Sequence, residues 1–252
     1  MPDQPQDQIA DFYDEFAARQ QRTGLNARIW HLYGRLRGLG LAADSRVLEL
    51  GCGVGALTFL LARHCGRGSV EAVDLSPESV RFAREQLAAF PRVSLHVHDV
   101  VTYEPTREPT REPTRADFDF ITLFDVIEHI PLPLHGALFR HLASLTGPQT
   151  QILINIPHPR LIEHYHRHEF AALQVVDQAV ELTPLVGHLT AANLALHSLD
   201  TYSLWREDDY QFLRIKPAAD FTNRPVAPGS PLDRARSKAE RTWRSWTARY
   251  PR

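Results

Sequence analysis

The sequence predicts an α/β protein: a doubly wound, mostly parallel sheet of seven strands, closed by an antiparallel hairpin. Three observations carry this. From Arg46 onward, short apolar runs alternate with amphipathic helical stretches, the order that builds a parallel sheet with helices on both faces. A glycine-rich turn, "GCGVG", directly follows the first of those runs. The last two strand-like runs are separated only by "REDD", which is too short for a crossover helix, so they pair antiparallel.

The elements follow in order. Ile9, Phe12, Tyr13 and Phe16, then Ile29, Leu32, Tyr33 and Leu36, recur at helical spacing, so two helices form an N-terminal cap over residues 1–40. "RVLEL" reads as a buried strand, "ALTFLLARHC" as a helix, "SVEAVDL" as a strand and "VSLHVHDV" as a third. The helix before that third strand, "PESVRFAREQLAAF", carries its proline in the first turn, where no amide hydrogen is needed. "FDFITLF" and "TQILINI" supply two more strands around the helix "LPLHGALFRHLASL", and "LHSLDTYSLW" with "YQFLRIK" makes the hairpin. The main domain therefore runs over 41–217. Between the third and fourth strands lies the repeat "EPTREPTREPTR"; its prolines block helix propagation, and it reads as a surface-loop expansion without chemistry. Residues 218–252 form a Pro-rich linker and a basic amphipathic helix with eight Arg or Lys against three acids. Such a helix can touch a membrane surface or a partner, but the favoured expectation is that its Trp-bearing face packs on its own domain or on a sister subunit, which leaves a homo-oligomer open.

Composition narrows the function classes. A chain of 252 residues, 43% hydrophobic and 23% charged, builds one sizeable core. No apolar run approaches the roughly 20 residues of a membrane span, and the polar start lacks a signal-peptide apolar region, so a cytoplasmic protein is expected. Cys52 and Cys65 lack the paired spacing of a zinc motif and read as reduced, structural thiols. A net charge of −2 gives no general pull toward nucleic acid, which points to small substrates.

The glycines Gly51, Gly53 and Gly55 sit between a strand and a helix, where the backbone turns sharply and comes close to a ligand. The same run also satisfies a dinucleotide pattern. Glu49, one residue before the loop, would repel a pyrophosphate and suits a cationic ligand. Asp74 ends the second strand, where a carboxylate accepts ribose hydroxyls, and Asp99 ends the third, where one accepts an adenine amino group. Together these residues describe S-adenosylmethionine.

From about Arg46 to Lys216 the chain resembles the class I S-adenosylmethionine-dependent methyltransferases, whose Rossmann-like sheet ends in such a hairpin. The resemblance implies that Glu49 holds the methionine amino group, usually through water, and that Gly51, Cys52 and Gly53 line the methionine portion. It places Asp74 on the ribose, Leu75 on the adenine face, Asp99 on the adenine amino group, the Val100 amide on a ring nitrogen, and Phe124 at the fourth-strand side. "GLNARI" is similar to the N-x-x-R segment of ubiquinone-type O-methyltransferases, which gives Arg28 the methionine carboxylate. "DVIEHIP" is similar to their E-x-x-E-H segment, which in some relatives binds a divalent ion; here Asp125 is one methylene shorter, and no metal is assigned.

The acceptor is expected in segment 156–195, after the fifth strand, because open α/β sheets bind ligands at the carboxyl ends of their strands. "HPRLIEHYHRHEF" carries four of the thirteen histidines there. Methyl transfer to a hydroxyl needs positioning and a base, and the candidates are His129, His158, Tyr165 and His166, with His164 and His168 behind them. The leading expectation is O-methylation of a small molecule. The alternatives are a metal-assisted RNA 2′-O-methyltransferase, a cofactor-binding scaffold without turnover and, last, a nicotinamide oxidoreductase.

Overall fold

The structure is a computed structural model and describes residues 24–105, 118–169 and 177–219. Its elements lie in the first of the chain's two units, Met1–Ala218. The first cap helix, the repeat beyond Pro105 and nearly all of the tail with its expected oligomer contact lie outside the described residues.

Helix α1, Ala27–Gly38, starts where the Asn26 side chain accepts the Ile29 amide at 3.0 Å and carries Arg35 and Arg37 in its last turn. Both ends thus match what the helix dipole and its unpaired amides require. Its buried Leu32 and Leu36 join Val47, Leu57, Leu61, Leu153 and Phe212 in one core cluster on the sheet.

Seven strands follow: β1 Arg46–Leu50, β2 Ser69–Asp74, β3 Val93–Val97, β4 Phe120–Phe124, β5 Gln151–Pro157, β6 Leu194–Tyr202 and β7 Tyr210–Pro217. Helix α2, Ala56–His64, links β1 to β2 and α3, Pro77–Leu87, links β2 to β3, while α4, His135–Ser144, joins β4 to β5. The sheet order is β3-β2-β1-β4-β5-β7-β6. All neighbours are parallel except β5·β7 and β6·β7, which is the expected mostly parallel seven-stranded sheet with its hairpin end. The strand order reverses between β1 and β4, so the crevice that takes ligands in such sheets opens at their carboxyl ends.

Three local expectations are corrected. The third strand stops at Val97: the His98 amide makes the last ladder bond, to the Asp74 carbonyl, and the Asp99 carboxylate then turns the chain by accepting the Val101 amide at 2.8 Å. The sixth strand starts earlier, at Leu194, and ends at Tyr202: Ser203, Leu204 and Trp205 leave it because Asp209 accepts the amides of Leu204, Trp205 and Arg206. Residues 132–134 form a separate single 3₁₀ turn ahead of α4.

Segment 156–195 contributes two helices, α5 Pro159–His168 and α6 Leu182–Ala191. The second escaped sequence reading; its Leu185 and Leu189 bury against the core around Leu138 and Ile154. No helix among the described residues is long and apolar enough to cross a membrane.

Candidate functional site

The loop after β1 is bound closely to β2. The Gly51 and Cys52 amides both donate to the Val73 carbonyl, at 2.7 and 2.9 Å, and the Gly53 amide donates to the Asp74 carboxylate at 2.7 Å. Gly51 has φ +81°, and a Cβ there would lie 2.2 Å from Val126 Cγ2. Only glycine fits, for conformation and for space. Asp74 also accepts the Ser76 amide at 2.9 Å, and burial raises its pKa against those bonds. Glu49 is buried behind the loop, accepts the Thr58 hydroxyl at 2.7 Å, and is pushed up to about 8 by burial. Leu75 is 65% exposed at the end of β2, an apolar face open to a flat ligand. Val100 is buried, Asp99 lies in the loop after β3, and Phe124 ends β4 against Phe212.

A second group gathers beyond β4 and β5 around a cavity of about 210 Å³. Asp125, at φ +56°, sits in the left-handed region that aspartate tolerates better than most residues. There its carboxylate meets Arg28 at 2.8 Å and accepts from the Asn155 amide group at 3.1 Å. Arg28 also donates to the Tyr210 hydroxyl at 3.2 Å. Burial pushes the Asp125 pKa up, while Arg28 pulls it down. Arg28 thus stands in the site, but its partner is Asp125.

The turn Ile127–His129 is pinned from two sides. The buried His135 donates through Nε2 to the Ile127 and Ile130 carbonyls at 2.9 and 3.0 Å. Gln178 donates its backbone amide to the Glu128 carbonyl and its side chain to the Ile130 carbonyl, both at 3.0 Å. The second clamp sets Asp177 beside the turn, with its carboxylate 3.0 Å from His129 Nδ1. His129 Nε2 lies 3.9 Å from the Glu128 carboxylate. Glu128 is 1% exposed, and neither of its oxygens has a hydrogen-bond partner among the described residues. Burial pushes its pKa up to about 8.

The predicted bases separate here. His129 and Tyr165 line the cavity. His158 instead caps α5, its Nδ1 accepting the Arg160 amide at 3.1 Å. His166 reaches the Asp177 carbonyl at 2.8 Å, and neither His158 nor His166 is among the lining residues. The alternating histidines 164, 166 and 168 lie on a helix, so they spread around it instead of sharing a face. His164 pairs with Glu169 at 3.3 Å. Among the described residues, no three His, Cys, Asp or Glu side chains converge to hold a metal ion. Sequence reading missed Asp177, Trp205 and Tyr210, which lie in no motif; only the hairpin places Tyr210 opposite Pro157.

The two raised carboxyls have a consequence for stability. Glu49 and Glu128 hold protons to about pH 8 in the fold, whereas unfolded glutamate titrates at about 4.3. The folded chain binds more protons over that window, so stability is present below the unfolded pKa and falls as pH rises from about 5 to about 8. The thermal midpoint of the ligand-free chain is expected to fall across this range, less steeply in Glu128→Gln. A midpoint that rises would contradict these assignments.

Comparison with known proteins places this geometry. A family model described as a methyltransferase domain matches residues 4–211. A ubiquinone biosynthesis O-methyltransferase of Xanthomonas campestris pv. campestris is 36% identical over 105 residues, 41% of this chain and 39% of the relative. The chain spans about two fifths of the length of the curated relatives it matches. Among solved structures, the N-methyltransferase NodS from Bradyrhizobium japonicum, in complex with S-adenosylhomocysteine, superposes with TM-score 0.61 at 16% identity, over 81% of this chain and 98% of that one. Magnesium protoporphyrin IX methyltransferase from Synechocystis, with the same ligand, gives 0.57 at 19% identity, over 76% and 82%. At these identities the structural likeness shows the fold.

Proposed function

The chain belongs to the methyltransferase domain family, that of the S-adenosylmethionine-dependent methyltransferases, and from this premise we propose that it methylates a hydroxyl of a small-molecule acceptor held in the cavity beside His129. One observation carries the reading: a histidine fixed through Nδ1 by a carboxylate, lining a cavity beyond the carboxyl ends of β4 and β5. That carboxylate sets the imidazole's orientation and tautomer, leaving Nε2 as the basic nitrogen. The ubiquinone O-methyltransferase relatives support an oxygen acceptor.

The residues on the first strands fit the donor. Each Asp74 oxygen accepts one backbone amide and retains a lone pair for a ribose hydroxyl. Leu75 offers an apolar face to adenine, and Asp99 with Val100 lies at the next strand's end. Glu49, neutral by burial, ionises when an ammonium group comes near. The Gly51, Cys52 and Gly53 backbone and Phe124 complete the lining. Arg28 turns from Asp125 to the methionine carboxylate or bridges the two. When bound, S-adenosylmethionine supplies an electrophilic methyl on a sulfonium with a good leaving group. His129 takes the acceptor hydroxyl's proton on Nε2 as the oxygen–carbon bond forms and the carbon–sulfur bond breaks. Asp177 stabilises the imidazolium this produces. Tyr165 and the apolar Leu161 and Ile162 keep water from competing for the methyl group.

A labelled-methyl assay tests the reading. The full chain is incubated with S-adenosylmethionine and a panel of hydroxylated and purely amine metabolites, and label is expected in an ether. Label only in amines, or S-adenosylhomocysteine binding without transfer to any acceptor, would replace it. The two cysteines, buried and unpaired, suit a reducing cytoplasm, where we place the activity.

A further inference from the structure

Among the described residues, the charges around the acceptor cavity are matched at 3.3 Å or less with one exception, Glu128, whose carboxylate comes no nearer to a cationic group than 3.9 Å, at His129 Nε2. Arg28 meets Asp125 at 2.8 Å, Asp177 meets His129 at 3.0 Å, and Asp209 accepts three backbone amides. Arg206 pairs with Glu169 at 3.3 Å and lies over the Tyr165 ring. Glu128 alone among the described residues lines the cavity with both carboxylate oxygens lacking a hydrogen-bond partner. A carboxylate buried in this way is costly when ionised unless a cation or several donors reach it. The cavity walls include the rings of Tyr165, Trp205 and Tyr210, and such rings attract cations at their faces. Trp205 and Tyr165 already lie beside guanidinium groups, at 5.8 and 5.5 Å.

We propose that Glu128 is a specificity residue that binds a protonated amine on the acceptor, so that the substrates are small cationic molecules carrying an amine as well as the methylated hydroxyl. An anionic group at this position would face Glu128 while the lining cations are already engaged, Arg28 by Asp125 and Arg206 by Glu169, and is disfavoured. A neutral group would leave Glu128 protonated and gain one ordinary hydrogen bond. A cation, by contrast, makes a charge-assisted bond to Glu128 and also meets the aromatic walls. Glu128 holds its proton to about pH 8 when no cation is near. Amine binding near neutral pH therefore ionises Glu128 and releases that proton to solvent, and the amine keeps its own.

The inference rests on reading the cavity as the acceptor site, and the test separates the two. Calorimetry on the full chain with S-adenosylhomocysteine present compares benzylamine, benzyl alcohol and benzoate. Benzylamine is expected to bind about tenfold tighter than benzyl alcohol, and benzoate weakest. In Glu128→Gln the amine advantage is expected to shrink to within about threefold, with S-adenosylhomocysteine binding reporting that the variant is folded. In the wild-type chain alone, titration in buffers of different ionisation enthalpy is expected to show close to one proton released per benzylamine bound. Equal binding of the three probes, an advantage that survives Glu128→Gln, displacement of benzylamine by S-adenosylhomocysteine, or no proton release would each overturn the amine assignment. A chain that binds no S-adenosylhomocysteine and transfers no methyl would overturn the functional reading instead.

Discussion

His129→Ala is expected to slow methyl transfer by about 10²–10⁴-fold, the range by which a positioned general base accelerates proton transfer. S-adenosylhomocysteine affinity is expected to stay within about threefold of wild type, because, of the proposed donor-binding residues, only Arg28 and Phe124 lie off the ends of β1 to β3, and His129 is not one of them. The same geometry predicts a graded result at Asp177. Asp177→Asn keeps the carbonyl oxygen that can accept from His129 Nδ1 but removes the charge that stabilises the imidazolium. Its rate should therefore fall between wild type and His129→Ala, with the loss in kcat and little change in KM. A His129→Ala chain that is folded, binds S-adenosylhomocysteine and retains more than about a tenth of the wild-type rate would remove His129 as the base. His158 would not then inherit the role while its Nδ1 serves the α5 cap.

Asp74→Ala is expected to weaken S-adenosylhomocysteine binding by about 100-fold or more. The ribose hydroxyls would lose a charged acceptor, and hydrogen bonds to charged groups contribute about 1.5–3 kcal/mol. A second loss is structural: the Gly53 and Ser76 amides, at 2.7 and 2.9 Å from the carboxylate, would lose their acceptor, loosening the loop against β2. Asp74→Asn separates the two effects, since its amide oxygen can still accept one of those bonds. Its affinity should lie between the two. Calorimetric titration reads both variants, and an Asp74→Ala affinity within about threefold of wild type would sink the ribose assignment.

The strands and the glycine turn are legible in the sequence because they are set by short-range chemistry. Val47, Leu48 and Leu50 bury a strand wherever it lies in the sheet, and a chain that must pass Val126 at φ +81° accepts only Gly51. The order of Glu49, Asp74 and Asp99, proposed as the donor ladder, is legible for a related reason: parallel βα units fix the order in which strand ends meet. Where that order lapses, reading fails. "SLW" looks like strand, but Asp209 draws its amides into a loop, and no local pattern announces that competition.

The sequence alone thus determined the fold class, the sheet with its hairpin end, and the edge of the sheet where the proposed ligand sites lie. The tertiary structure decided which polar groups face one another across that edge. Arg28 and Tyr210, 182 positions apart, meet because α1 and β7 flank the same strand ends. Asp177 reaches His129 because Gln178 clamps its loop to the turn after β4 and His166 holds the Asp177 carbonyl. The histidine cluster, conspicuous as sequence, resolves into a cap, surface pairs and a carbonyl contact because helix rotation assigns each side chain its own direction. Glu128, which the sequence marks only through its likeness to an E-x-x-E-H segment, is left buried and, among the described residues, without a hydrogen-bond partner by the packing of elements far apart in the chain.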